Sequence, residues 1–465
     1  MSIACPSAAA TMPRDRLARV GEAMVRHRRA ILTIQWVVVI FYLTLVALPA
    51  FRELPPESAH LWNDLTRFAQ FVFWGIWWPF VILSVMLLGR AWCGLLCPEG
   101  ALTELASRHG LGRAIPRWIK WSGWPFTAFL ATTVYGQLVS VYEYPKPVLL
   151  ILGGSTLAAI AVGFLYGRGT RVWCRHLCPV SGVFGLLARL APLHFAVDRG
   201  AWRRSLGAHH EPVTCAPLVD LRDMKRAKDC QMCGKCSGHR SAIVLSARAP
   251  GAGVLGMTAV EPDRWEARLL VFGAIGAALG AFQWSASPWF VAVKQAVATW
   301  LIEHDALLLL QDHAPWWVLT HYPETNDVFT WLDGTLIVGY IGATALAVGG
   351  SLWLALLAAA RLLRRPGFHL ALAYTLTPLA GASVFLGLSM LTVNLLRAEG
   401  FSLAWVAAAR VGLLAAALAW SAWLAWHRIA TAKDVSVRRR AAARGALMTG
   451  MSVPVFAWAL LFFAW

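Results

Sequence analysis

Long apolar runs broken by short charged stretches run the length of the chain. An apolar run of roughly 18 to 25 residues crosses the ~30 Å hydrocarbon core as a helix, because a helix satisfies its own backbone hydrogen bonds in lipid. Such runs lie near 30–50, 68–88, 124–142, 147–166, 268–290, 336–360, 369–396, 403–426 and 446–465. Only the turn Tyr142, Glu143, Tyr144, Pro145, Lys146 separates the third run from the fourth. The pattern predicts an all-α polytopic membrane protein of about nine transmembrane helices.

The connecting stretches orient these helices, since basic residues stay on the cytoplasmic side. Arg14, Arg16, Arg19, Arg26, Arg28 and Arg29 place the N-terminus inside, and that segment lacks the short apolar region and cleavage site of a secretory signal. Stretches 89–123, 167–267, 361–368 and 427–445 are basic, whereas 291–335 carries Glu303, Asp305, Asp312, Glu324, Asp327 and Asp333 against the single Lys294. Nine crossings close this alternation, with the C-terminus outside. The expected layout is a cytoplasmic basic N-terminus (1–29), a four-helix membrane domain (30–196), a cytoplasmic cluster-binding loop (197–267) and a five-helix membrane domain (268–465) with the acidic outer loop 291–335.

Composition agrees with this layout. Of 465 residues, 58% are hydrophobic and 14% charged, which excludes an ordinary soluble enzyme. The net charge of +18 is accounted for by the inner loops, so no nucleic-acid role is needed. Many of the 25 Trp fall at the ends of apolar runs, where amphipathic rings settle at the lipid boundary. The basic stretch 438–444 suits anionic membrane lipid.

Eight of the nine cysteines lie in the loops 89–123 and 167–267, both assigned to the cytoplasm, where stable disulfides are disfavoured and metal or redox chemistry becomes the leading reading. Two groups form an internal repeat. Gly89-Arg90-Ala91-Trp92-Cys93-Gly94-Leu95-Leu96-Cys97-Pro98 follows the second run, and Val172-Trp173-Cys174-Arg175-His176-Leu177-Cys178-Pro179 follows the fourth. Both read Trp-Cys-x-x-Leu-Cys-Pro. The four-residue spacing predicts both sulfurs of a pair on one face of a helical turn, with Pro opening a new helix whose free N–H groups stabilise a thiolate or an anionic cluster. A cluster, a dithiol or copper-handling pair, and a purely structural pair all remain open for these motifs.

The third group, Cys230-Gln231-Met232-Cys233-Gly234-Lys235-Cys236, has the C-x2-C-x2-C spacing by which bacterial ferredoxins hold three corners of a 4Fe-4S cube. No cysteine follows it; position 240 is Arg240, which leaves Cys215, near Pro217, as the fourth candidate. Zinc held by four thiolates is the alternative. Arg222, Lys225, Arg226, Lys228 and Lys235 offset cluster charge and suit an acidic donor. Cys93, Cys97, Cys174 and Cys178 then form one ligand set and Cys215, Cys230, Cys233 and Cys236 the other, for two 4Fe-4S clusters, with Cys5 spare.

At these residues the chain resembles the membrane-bound polyferredoxins: regulators of nitrous-oxide reductase, quinol dehydrogenase subunits of periplasmic nitrate reductase, oxidase-assembly ferredoxins, and the ferredoxin subunit of ferrous-iron uptake systems. The resemblance covers residues 30–245. It departs from several members in having one ferredoxin cysteine run and no flavin domain before the first helix, and the additional C-terminal helices are most similar to the iron-uptake subunit. The resemblance implies an electron-transfer component of an oxidoreductase system in the bacterial cytoplasmic membrane. Its electrons would come from a cytoplasmic donor or quinol and go to a membrane or periplasmic redox partner, such as an iron-uptake permease complex. A thiol or copper reductase for metalloenzyme maturation, and a permease with cluster-based sensing, are the alternatives.

The outer face and the membrane interior add less. Residues 291–313 read as a partly amphipathic interfacial helix beside Glu303, His304, Asp305, Asp312, His313, His321, Glu324 and Asp327, residue types that bind divalent metal or a partner. No His falls mid-span, so haem is not expected. Gln137, Gln283 and Asn394 are expected to pair between helices.

Overall fold

The computed structural model describes residues 14–56, 58–206, 209–224, 228–257 and 262–465. Cys5, Lys225 and Arg226 lie outside them. Among the described residues eight helices are long and apolar enough to cross a membrane: Arg28–Phe51, Leu65–Leu88, Pro145–Tyr166, Arg264–Ala286, Trp331–Leu362, Phe368–Ala398, Trp405–Ala430 and Val437–Phe463.

The third expected run falls short. It forms Trp124–Leu138, 15 residues or about 22 Å of helix. The chain then turns: Ser140 takes a positive φ of 48°, the Val141 N–H donates back to Gly136 O, the Glu143 N–H to Ser140 O, and Pro145 opens the next helix. The last run departs in the other direction, because Arg438, Arg439 and Arg440 belong to the first turns of Val437–Phe463. The outer-loop helix is also displaced. It spans Pro288–Glu303, with the Ser287 side chain accepting from the Phe290 N–H, and a positive φ at Asp305 follows it.

The chain divides into two compact units. The first comprises Met1–Thr44, Val81–Trp124 and Ser155–Met257. Apart from its long apolar helices it is built from short helices and a two-stranded antiparallel ribbon, β1 (Leu193–Val197) on β2 (Ile243–Ala247), in which Phe195 lies opposite Leu245. Phe195, Met224, Met232, Cys236, Ile243 and Leu245 form a small core on this ribbon, with Leu17 and Met24 packed against it. Both come from the helix Arg14–Arg26. The ribbon thereby closes the ends of the 198–242 stretch that carries the last four cysteines.

The second unit comprises Leu45–Phe80, Pro125–Gly154 and Thr258–Trp465. Its membrane helices meet through small residues: a Cβ on Gly280 would stand 3.0 Å from the Ile341 backbone, and one on Gly276 2.9 Å from Ala345. Such close approach is how helices associate where lipid offers no hydrophobic drive. Neutral polar pairs supplement it. Trp458 Nε1 donates to Ser383 Oγ (3.1 Å), Gln283 Nε2 to Ala457 O (2.6 Å) and Trp284 Nε1 to Gln137 Oε1 (2.8 Å).

Candidate metal centres

The two Trp-Cys-x-x-Leu-Cys-Pro repeats fold alike. Cys93 sits in the helix Ala91–Leu95, and Cys174 in the helix Val172–His176. Each helix ends in the same turn: the Leu96 and Cys97 N–H groups both donate to Trp92 O (2.9 Å each), and those of Leu177 and Cys178 to Trp173 O (2.9 and 3.0 Å). The expectation of both sulfurs on one helical face is therefore corrected. Proline disfavours helical backbone at the residue before it, and Cys97, with φ −63° and ψ 120°, is the N-cap of Pro98–Arg108.

The four repeat cysteines face one another. Burial pushes the Cys97 thiol well up, and the charges of Cys174 and Cys93 add to this; Cys178 is raised by burial, then by Glu99, Cys174, Cys97 and Cys93. Burial raises Cys174 to about 12. Glu99 braces the two repeats, accepting from Ser155 Oγ (2.6 Å) and from Nε1 of Trp173 in the other repeat (3.1 Å).

Cys215, Cys230, Cys233 and Cys236 form a second group. Burial raises Cys230 to about 12, with Cys233 the next cause, and Cys215 to about 11; Cys236 is pushed up by burial and by Cys230, Cys233 and Cys215. A backbone donor reaches one of these sulfurs, the Met232 N–H donating to Cys230 Sγ (3.4 Å). The tight course of this loop needs positive φ at Met232 (53°) and Gly234 (73°). All eight cysteines are free thiols. Among the described residues no three His, Cys, Asp or Glu side chains close round a single ion, in these groups or among the acidic residues of the outer loop.

The two groups abut. A Cβ on Gly94 would lie 2.0 Å from Gln231 O and 2.8 Å from Cys233 N, so only glycine lets the first repeat meet the third cysteine loop. Around this seam lies a charge network that sequence reasoning missed. Arg171, 0% exposed, donates from Nε to Glu104 Oε2 (2.9 Å) and from Nη1 to Cys93 O (2.5 Å) and Gln231 Oε1 (3.1 Å). Lys235 also pairs with Glu104. Burial alone would raise the Glu104 carboxyl, but Arg171 and Lys235 overcome it and hold it at about 2. Arg90, 5% exposed, donates from Nη1 to Lys228 O (2.9 Å) and from Nη2 to Ser181 Oγ (2.9 Å). Arg175 and Asp229 form a further bridge between repeat and loop (2.5 Å). The signal was in the sequence: Arg90 and Arg171 each stand three residues before the first Cys of a repeat.

The donor set suits thiolate-ligated 4Fe-4S clusters. Such clusters are anionic and accept hydrogen bonds at their sulfurs, and Arg90 Nε and Gln231 Nε2 are buried donors without a partner beside these cysteines.

Comparison with known proteins picks out the two segments that carry the repeats. Residues 70–121 and 149–197 match a 4Fe-4S binding domain family. The chain is 25% identical to the Escherichia coli protein YccM over 230 residues, 43% of this chain and 62% of that one. It is 30% identical to the ferredoxin-type protein NapH of Escherichia coli over 183 residues, 34% of this chain and 62% of NapH. It is 29% identical to the methylamine utilization ferredoxin-type protein MauN of Methylorubrum extorquens over 143 residues, 28% of this chain and 48% of MauN. The aligned part spans less than two thirds of each of these relatives. No solved structure matches the chain. Residues 70–121 and 149–197 thus resemble a 4Fe-4S binding domain, and the chain is similar over this part to ferredoxin-type electron-transport proteins.

Proposed function

We propose that the protein is a membrane electron relay holding two 4Fe-4S clusters, one on Cys93, Cys97, Cys174 and Cys178 and the other on Cys215, Cys230, Cys233 and Cys236. The observation that carries this reading is the division of eight free thiols into two groups of four that meet at Gly94. When bound, each cluster supplies a site that takes up and releases one electron. The chain's own residues hold the irons, exclude water by burial, donate N–H groups to the ligating sulfurs and set the local charge. Electrons enter at the ribbon-closed loop, where exposed Arg222 and half-buried Lys228 and Lys235 suit an acidic donor. They leave through the repeat cysteines to a membrane-bound acceptor such as quinone or a partner subunit.

The proposed topology has the cysteine loops on the cytoplasmic side of the inner membrane, where the basic stretches put them. Both repeat motifs follow the C-terminal ends of membrane helices, Leu65–Leu88 and Pro145–Tyr166, and their cysteines come together. The chain must therefore return across the bilayer between them. Trp124–Leu138 is the longest helix available for that return, which brings the crossings to nine and the C-terminus to the outer face. Within this scheme 30–196 and 268–465 are membrane domains and 197–267 is the ferredoxin-like cytoplasmic loop. An iron-uptake permease is the proposed final partner on the strength of the additional C-terminal helices, and co-purification from membranes tests it.

Anaerobic purification followed by iron and acid-labile sulfide assay and EPR of the reduced protein tests the core of the reading. Four cysteines per cluster require about eight iron and eight sulfide per chain. About four of each would leave one set as thiols, and zinc without sulfide would overturn electron transfer altogether.

A further inference from the structure

The two repeats bring their arginines into different company. Arg171 has a carboxylate partner, pairing with Glu104 at 2.9 Å, although it shares that carboxylate with Lys235. Arg90 occupies the equivalent position and is equally buried, but makes no ion pair with any carboxylate among the described residues. Its hydrogen bonds go to neutral atoms of both cysteine groups' frameworks. Nη1 donates to the carbonyl of Lys228, two residues before Cys230, and Nη2 to Ser181 Oγ, which itself donates to Cys174 O at 2.7 Å. Its Nε remains buried without a protein acceptor. A guanidinium taken out of water without a counter-charge is costly, and evolution of a stable site supplies an anion. Cys93, Cys178 and Cys174 of one group act on the Arg90 charge, and Arg90 in turn acts on Cys230 of the other.

We propose that Arg90 is the counter-cation shared by the two clusters, a positioning residue whose single buried charge raises the reduction potential of both centres together and so keeps them matched for transfer across the Gly94 seam. This rests on the two-cluster reading above. A positive charge beside a cluster favours its reduced, more negative state, and burial leaves that charge poorly screened. Because one guanidinium touches the frameworks of both groups, its removal must displace both potentials in the same direction.

The test is a redox titration, followed by EPR, of anaerobically purified full-length protein, with iron and sulfide measured on each sample. In Arg90→Gln at full iron and sulfide content, the midpoints of both cluster signals are expected to move negative, while Arg90→Lys, which keeps the charge, stays near the parent. If neither midpoint moves, or only one does, at full loading, the shared role is overturned. Should Arg90→Gln lose iron, the Arg90→Lys protein decides: full loading with near-parent midpoints supports the charge role, and loss of iron there as well shows that Arg90 serves only through its hydrogen bonds. Less than about eight iron in the parent protein would instead sink the two-cluster reading, so the two failures are distinguishable.

Discussion

Buried polarity has a different character in the two units. In the second unit the pairs described between membrane helices are neutral, as in Trp458 with Ser383 and Trp284 with Gln137, and its buried charges, Asp333 and Arg428, sit in the first and last turns of their helices. In the first, Arg90, Glu104 and Arg171 are buried with their charges, next to eight cysteines. Neutral pairs hold helices together at little cost in lipid. Buried charge is rarely a gain for stability over apolar packing, so its concentration beside the cysteines marks chemistry rather than scaffolding. The contrast makes a checkable division: substitutions in the first unit should alter metal content and potentials, those in the second only helix association.

The largest effect is expected from the ligands. Cys97→Ser and Cys233→Ser should each lower iron and sulfide from about eight to about four per chain, on four cysteines per cluster, and should abolish different EPR signals. Both losing the same signal would break the grouping into two sets. Next in size is Glu104→Ala, which leaves Arg171 buried without its carboxylate. Breaking a buried pair from one side costs about 3–5 kcal/mol, read as a lower thermal midpoint and partial loss of both clusters. Glu104→Gln should fall between that variant and the parent, because it keeps a hydrogen-bond acceptor for Arg171.

Gly94→Ala sharpens the division within the first unit. The added methyl would meet Gln231 O at 2.0 Å, and both contacts are backbone, so the cysteine loop must shift. Overpacking of this kind costs about 1–3 kcal/mol. Its mark should be selective: iron on the Cys215/230/233/236 set is lost or its EPR line shape changes, while the repeat cysteines keep their cluster.

Much of this was legible in the sequence because ligand chemistry and spacing are local. The proposed grouping of Cys93, Cys97, Cys174 and Cys178 against Cys215, Cys230, Cys233 and Cys236 comes from a repeat and a tight run, and the apolar runs marked eight of the long helices. What escaped was either a short-range effect read wrongly or a long-range contact. The four-residue spacing points to one helical face for both sulfurs, but Pro98, whose ring restricts the residue before it, takes Cys97 out of the helix that holds Cys93. The shortness of Trp124–Leu138 depends on a positive φ at Ser140, a non-glycine residue that carries no turn signature strong enough to end an apolar run. The Arg171–Glu104 pair joins residues 67 positions apart, and no local pattern announces such a partner. Even so, the arginine three residues before Cys93 and Cys174 was a repeat feature waiting to be extended by one position.

The smallest effect tests the other side of the comparison. Trp458 is fully buried and its indole N–H donates to Ser383 Oγ between the helices Val437–Phe463 and Phe368–Ala398. Ser383→Ala removes the acceptor but leaves the ring packed against Phe282 and Phe462, whose centroids lie 6.4 and 5.3 Å away. Polar pairs between membrane helices are worth about 0.6 kcal/mol on average, since the membrane-unfolded state also finds partners. The expected outcome is a barely measurable drop in resistance to detergent or heat, with iron, sulfide and both midpoints unchanged. A change in either midpoint in Ser383→Ala would mean that the neutral pairs of the second unit also govern the clusters, and buried charge would lose its value here as the marker that separates chemistry from scaffold.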